Sequence, residues 1–294
     1  MKQQVIEIMS RYIYENCSEI FDGFAKFPYA LIKGEPLSIQ AYGKPGMRHI
    51  GDVDILISKM SLNISSEILT KFGFTIKKLS RQGYILTRTF SHQTGTWHKK
   101  ISNTQHISID INYDIFWGEF EGPRIDIDEF LSDAVDIEIY GHQVKTLPPI
   151  KALIQLALHH YKDMNSIYLL STRNSIKKRM FNDFYFLFAR NINSIPLNKL
   201  YELSSTYGIL PYIFYIFFYT ELLYDDTELS RYTKALKTLD GENLLHYYGL
   251  NNTERRKWKI DFNTRLDCAN LHDFIKDDLT KADLEKIIIN KGVF

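Results

Sequence analysis

The chain changes rhythm once. Through its first half, short runs with apolar residues at every second position alternate with a few helical stretches. After "LPPI", residues 147 to 150, the apolar spacing is helical to the end. Residues 4 to 22 begin the series with Val5, Ile8, Met9, Tyr12 and Ile13 at helical spacing, which predicts a helix. "YALIKG" reads as a short buried strand or a helix start, turned by Gly34, and "PGMRHIG" as a turn cluster. "DVDILI" reads as a strand. "SLNISSEILTKFGF" reads as an amphipathic helix with Leu62, Ile68, Leu69 and Phe72 inward and Gly73 as its stop. "GYILTRTF", "TWHKKI" and "HISIDINYDIFW" follow as strands, the first two joined by "SHQTG". "AVDIEIYGHQVKTL" predicts a hairpin around Tyr140-Gly141. Beyond Pro149, favourable in a first helical turn, come "IKALIQLALHHYKD", "KKRMFNDFYFLFARN", "LNKLYELSSTYG", "PYIFYIFFYTELL" and "DLEKIII". The pattern predicts an α+β domain over 1–147 and a helical domain over 148–294.

Composition narrows the class. At 294 residues the chain is near the size at which one core gives way to two. A net charge of +1 gives no global reason to bind nucleic acid or a membrane surface. The most apolar stretch, "ILPYIFYIFFYT", is shorter than the roughly 20 residues that span a bilayer. Cys17 and Cys268 stand far apart in no metal-like spacing, as reduced thiols do. The first residues lack the apolar core of a signal peptide, so the cytoplasm is the expected location.

The candidate chemistry lies in carboxylates. Strand alternation puts Asp52 and Asp54 on one side of "DVDILI". In "HISIDINYDIF" it puts His106, Ser108, Asp110, Asn112 and Asp114 on one face and Ile107, Ile109 and Ile111 on the other. Carboxylates gathered among apolar residues repel one another and resist ionisation, unless bound cations offset their charge. Hard oxygen ligands of this kind suit Mg²⁺ or Mn²⁺, which bind substrate phosphates as well. An Asp-x-Asp pair alone is common at solvated strand ends, but "VDILI" is too apolar for an exposed edge.

"LIKGEPLSIQAYGKPGMRHIGDVDILIS" resembles the core of the polymerase-beta-type nucleotidyltransferases. It is most similar to a branch of uncharacterised bacterial nucleotidyltransferases, whose pattern falls here on Lys33, Gly34, Leu37, Tyr42, Arg48, Asp52 and Asp54. The resemblance runs from about residue 28 to about 190. It takes in "LPPIKALIQLALHHYKD" and "FNDFYFLFAR", where a histidine and an aspartate match His159 and Asp183. It implies a mixed sheet with flanking helices followed by an all-helical domain. It implies Asp52, Asp54 and Asp110 as catalytic, metal-binding residues, with nucleotide contacts from Lys33, Gly34, Arg48, His159 and Asp183. The implied reaction is Mg²⁺- or Mn²⁺-dependent transfer of a nucleoside monophosphate from an NTP to a hydroxyl or phosphate of a small-molecule or peptide acceptor. Other readings are glycosyl transfer from a nucleotide-sugar to a phosphorylated peptide natural product, a non-catalytic nucleotide-binding protein, and a toxin–antitoxin partner. Weak basic patterning argues against a tRNA acceptor. Two positions depart from the superfamily. Glu35 follows Gly34 where serine or glycine is usual, and Asn112 stands where the branch often has histidine.

Each supporting residue has a plainer alternative. Lys33 and Arg48 suit phosphates, although Arg48 pairing with Asp52 fits the same spacing. Lys151, Gln155, His159 and Lys162 form a polar stripe opposite Leu153, Leu156 and Ala157, a solvated face or a ligand face. His160 reads as packed or capping. Lys177, Lys178 and Arg179 precede Asp183, as a basic lip for pyrophosphate or as an Arg179–Asp183 pair. Alternation separates His98 and Lys100 from Lys99, on an exposed hairpin or toward the acceptor. "NNTERRKWKIDF" reads as a surface helix start or loop.

Overall fold

The computed structural model describes residues 2–48, 51–77, 91–102, 105–118, 120–172 and 175–293. The strand expected over residues 83–90 lies outside them. The chain forms two compact units: Met1–Gly118 with Ile125–Ala152, and Glu119–Arg124 with Leu153–Phe294. The change of rhythm at 147 marks the entry to the helix Pro149–Asn165, and the units divide within that helix. The segment 119–124 goes with the second unit through the Phe120 ring, 6.0 Å from that of Tyr212.

In the first unit, helix α1 (Lys2–Phe24) leads into β1 (Tyr29–Ile32), α2 (Gly34–Tyr42), β2 (Val53–Ile57), α3 (Leu62–Lys71), β3 (Thr75–Ile76), β4 (Trp97–Lys100) and β5 (His106–Asn112). Helix α4 (Ile127–Leu131) and the hairpin β6 (Val135–Ile139) and β7 (His142–Thr146) complete it. Among the described residues these strands make one mixed sheet in the order β3-β4-β5-β2-β1-β7-β6. β2 runs parallel to β5 and antiparallel to β1, and β4 runs antiparallel to β5. The central strands are buried on both faces, as their unbroken apolar runs require. The β6–β7 turn puts Tyr140 and Gly141 at φ 53° and 86°, the left-handed pair of a two-residue hairpin whose twist matches its strands.

Helix α1 forms as its spacing predicts, but its apolar N-terminal stripe is not its buried face. Val5, Ile8, Met9 and Tyr12 are exposed, while Ser10, Tyr14, Cys17, Phe21 and Phe24 are buried. The buried set repeats at spacings of four and three along most of the helix, and from Tyr14 on it belongs to the same hydrophobic core as Leu31, Ile55, Ile107 and Ile109. The exposed set covers only the first turns. Length of stripe, not local apolarity, decided which face turned inward.

The second unit opens in α5 (Pro149–Asn165) and continues through α6 (Ile167–Thr172), α7 (Lys178–Arg190), α8 (Leu197–Thr206), α9 (Leu210–Glu221), α10 (Thr227–Leu236) and α11 (Leu239–Leu244). Helices α12 (Phe262–Arg265), α13 (His272–Ile275) and α14 (Lys281–Val293) follow. Helix α9 is its axis. Phe217 meets the rings of Phe184 and Phe188 edge-on and stacks near Tyr232. The unit is not purely helical, since β8 (Tyr247–Tyr248) pairs with β9 (Arg256–Lys257). The basic-aromatic stretch 251–262 is therefore not simply a surface loop: Trp258 and Phe262 are buried. The polar stripe of α5 is corrected too, because Lys151 and Gln155 are buried and do not form a solvated face.

Candidate active site

The carboxylates meet through sheet register. Asp54 on β2 stands directly beside Asp110 on the parallel β5, and alternation turns both to one face. Both are 8% exposed. Asp52 lies just ahead of β2, two residues before Asp54, and is half-buried. Lys33 Nζ lies 3.1 Å from Asp54 Oδ1, and Asn112 Nδ2 donates to the same oxygen at 3.3 Å. The side chains of Thr96 and Gln93 hydrogen-bond Asp110, Gln93 Nε2 at 3.5 Å from Oδ2. The other oxygen, Oδ1, is buried with no hydrogen-bond partner among the described residues. Burial, then the charges of Asp54 and Asp110, push the Asp52 carboxyl up to about 6. Burial also raises Asp110, against the hydrogen bond from Thr96.

Beside the carboxylates is a strained turn. β1 ends at Ile32 opposite Asp54, and the next two residues both take positive φ, 59° at Lys33 and 38° at Gly34. For lysine that conformation is costly, and strain of this kind persists only where the surroundings impose it. It lets the chain reverse into α2 while Lys33 reaches Asp54. Arg48 Nη1 lies 3.5 Å from the Gly34 carbonyl, so the 43–48 loop returns to the same turn. Glu35 fixes that loop. It is fully buried, accepting from the Gly46 N–H at 2.7 Å and the Tyr140 hydroxyl at 3.0 Å. The residue that departs from the superfamily pattern is thus the brace between α2, the Arg48 loop and the β6–β7 turn.

The donor set fits a hard divalent cation. Carboxylates converge on one face, one buried carboxylate oxygen lacks a partner, and neutral amide and hydroxyl groups stand around them. Among the described residues, no three His, Cys, Asp or Glu groups close into a ready-made cage. Lys33 instead neutralises Asp54. Sequence reasoning placed Asp110 and Asn112 on the site face, but missed Gln93 and Thr96. The alternation of "TWHKK" was the available signal for Thr96. Gln93, in a loop, offered none.

His159 and Asp183 lie on α5 and α7 of the second unit, while the carboxylates lie in the first. Each has a partner on its own helix. His159 Nε2 is 3.5 Å from Asp163, and Arg179 Nε is 3.8 Å from Asp183, itself 2% exposed. His160 is buried.

A mixed sheet carrying adjacent aspartates beside a glycine turn is a nucleotidyltransferase-like arrangement. The family described as uncharacterised nucleotidyltransferase matches residues 2–225, and the chain belongs to it. It is accordingly a transferase of nucleotidyl groups. The crystal structure of an antigenic nucleotidyltransferase-like protein from Paracoccidioides brasiliensis is similar over 64% of this chain and 75% of its own, at 13% identity and a TM-score of 0.33, and nothing below rests on it. No curated protein matches the chain. Among the described residues, no helix is long and apolar enough to cross a membrane.

Proposed function

We propose that the protein transfers a nucleoside monophosphate from an NTP to a hydroxyl or phosphate of a small-molecule or peptide acceptor, with Mg²⁺ or Mn²⁺. The observation that carries this reading is the register of Asp54 against Asp110, with Asp52 at the mouth of the same strand and the Lys33–Gly34 turn beside it. Asp52, Asp54 and Asp110 would hold the cations. When bound, these offset the carboxylate and triphosphate charge and make the acceptor hydroxyl more acidic. Lys33, the Gly34 turn and Arg48 would hold the triphosphate, Lys33 exchanging Asp54 for a phosphate oxygen. The acceptor oxygen attacks the α-phosphorus, and the bond from that phosphorus to the β-bridging oxygen breaks. Pyrophosphate leaves. A hydroxyl acceptor gives its proton to Asp110, whose unpartnered Oδ1 and raised pKa suit a base. The reading rests on the first unit alone.

The test is the mass of the product. The protein is incubated with Mg²⁺, mixed NTPs, nucleotide-sugars and a cell extract. A nucleotide added to an acceptor is the expected result, and a hexose added would overturn it. Asp52→Asn should remain folded and lose turnover by at least about a hundredfold. Full turnover in that variant would refute the assigned role. Mn²⁺ with a non-hydrolysable NTP should also raise the melting temperature of the wild type and not of Asp52→Asn.

A further inference from the structure

At the end of the sheet where β1 gives way to the Lys33–Gly34 turn, three strands bring side chains to the face of Asp110. Val53 pairs with Ile109, so Asp52 comes level with Ser108. On the far side of β5, His98 stands opposite Ser108 and Lys100 opposite His106. The side chains confirm the face. His98 Nδ1 is 3.1 Å from Ser108 Oγ, and the His98 and His106 rings lie 5.3 Å apart, edge to face. Lys99 points the other way, onto the Phe74 ring. Crossing the sheet from β1 to β4, one meets the phosphate turn, Asp52, the Ser108–His106 pair and the His98–Lys100 pair.

From this juxtaposition we propose that His98, Lys100 and His106 form an acceptor shelf for an oxyanion, a phosphate monoester or a carboxylate, on the molecule that receives the nucleotidyl group. The inference deepens the transfer reading and rests on it. The donor phosphates belong on the β1 side, with Lys33, Gly34 and Arg48. An attacking hydroxyl must therefore approach Asp110 from elsewhere, and the β4 side carries the groups for it. Among the described residues of β3, β4 and β5, Asp110 is the only carboxylate on this face. Thr75 of β3 lies opposite His98 and is neutral. With Nδ1 accepting from the Ser108 hydroxyl, the proton of His98 sits on Nε2, beside the His106 ring and on the same face as Lys100. On a chain of net charge +1, three nitrogen donors together select an anion. Strand rise puts the His98–Ser108 row about 7 Å from Asp110, and the Lys100–His106 row about 13 Å. The acceptor is thus a molecule whose hydroxyl and oxyanion lie about 7 to 13 Å apart.

The probe is inorganic phosphate, titrated into the full chain while the imidazole ¹H–¹⁵N signals of His98 and His106 are followed, each assigned with His98→Gln and His106→Gln. Both rings should shift together and saturate. Lys100→Met should weaken the phosphate response about tenfold. The affinity of Lys100→Met for a fluorescent NTP with Mn²⁺ should be unchanged. Lys100 and His106 are exposed, so these variants keep the fold. Acetate is the second arm: a response to phosphate alone points to a phosphate monoester, and a response to both admits carboxylates. Rings that do not move, or a shift that survives Lys100→Met undiminished, overturn the shelf. The two readings fail separately. A wild type that binds no nucleotide yet gives the phosphate response loses the transfer reading and keeps the oxyanion site.

Discussion

Asp52 is held above its ordinary range by burial and by two neighbouring carboxylates. Its folded pKa, about 6, exceeds that of an unfolded aspartate, so the folded state binds more protons between about pH 4 and pH 6. Stability of the metal-free protein must therefore fall as pH rises through that window, and the site destabilises the fold above it. For a half-buried group the effect is discounted to the order of 1 kcal/mol. Urea midpoints in a chelating buffer should show the decline, and Asp52→Asn should flatten it. A wild-type midpoint that rises over this window would contradict the assignment. Glu35, fully buried, has its carboxylate matched by two donors. Glu35→Ala should cost about 2–3 kcal/mol of unfolding free energy, by leaving the Gly46 N–H and the Tyr140 hydroxyl without their acceptor. Glu35→Gln, which keeps a carbonyl, should lose about half of that. Both should raise KM for the NTP more than they lower kcat, because the loop they release carries Arg48.

Among the elements, α5 departs most from its expected role. Lys151 was expected on a ligand-facing or solvated stripe. Its Nζ instead donates to the carbonyls of Glu129 and Phe130 and to Asp133 Oδ1 at 2.8 Å, and it sits over the Phe130 ring. It is a cation at the C-terminal end of α4, where the helix dipole and the unpaired carbonyls both favour one. Lys151→Met keeps the aliphatic stem but strands those carbonyls, and should cost about 2 kcal/mol in thermal or urea unfolding. An unchanged midpoint would mean that water replaces the ammonium freely. The period of four and three fixed the length and pitch of α5, yet carried no information about which polar positions a neighbouring element would cover.

Over the whole molecule, the family match ends at residue 225, but the second unit's packing does not. Arg265, 2% exposed, spreads its guanidinium against the rings of Tyr219, Trp258 and Phe262 and donates to the Tyr219 hydroxyl at 2.9 Å. Tyr219 belongs to α9, so the arginine ties the segment around α12, beyond the family match, to the central helix of its unit. Arg265→Ala should lower the stability of that unit by about 3 kcal/mol, through lost packing, cation–π contact and a buried hydrogen bond. Trp258 fluorescence reports the transition directly. The basic residues of 251–265 looked like surface in the sequence because charge is normally solvated, and only the aromatic rings gathered from α9 made a buried arginine tenable.

Local pattern alone was enough for the change from a mixed to a helical half, the Tyr140–Gly141 turn and the face shared by Asp110 and Asn112, and it offered the Arg179–Asp183 pair as one of two readings. Each follows from side-chain period or from a backbone conformation that few residues adopt, and such properties are local. The contacts made across the sheet were decided by tertiary structure: Asp54 beside Asp110, Lys33 on Asp54, Glu35 beneath the Arg48 loop, and His98 over Ser108. The same holds for the inward face of α1, where two stripes competed and the longer one won. Register and burial depend on which distant segments pack together, and a chain read one window at a time contains the periods but not the partners.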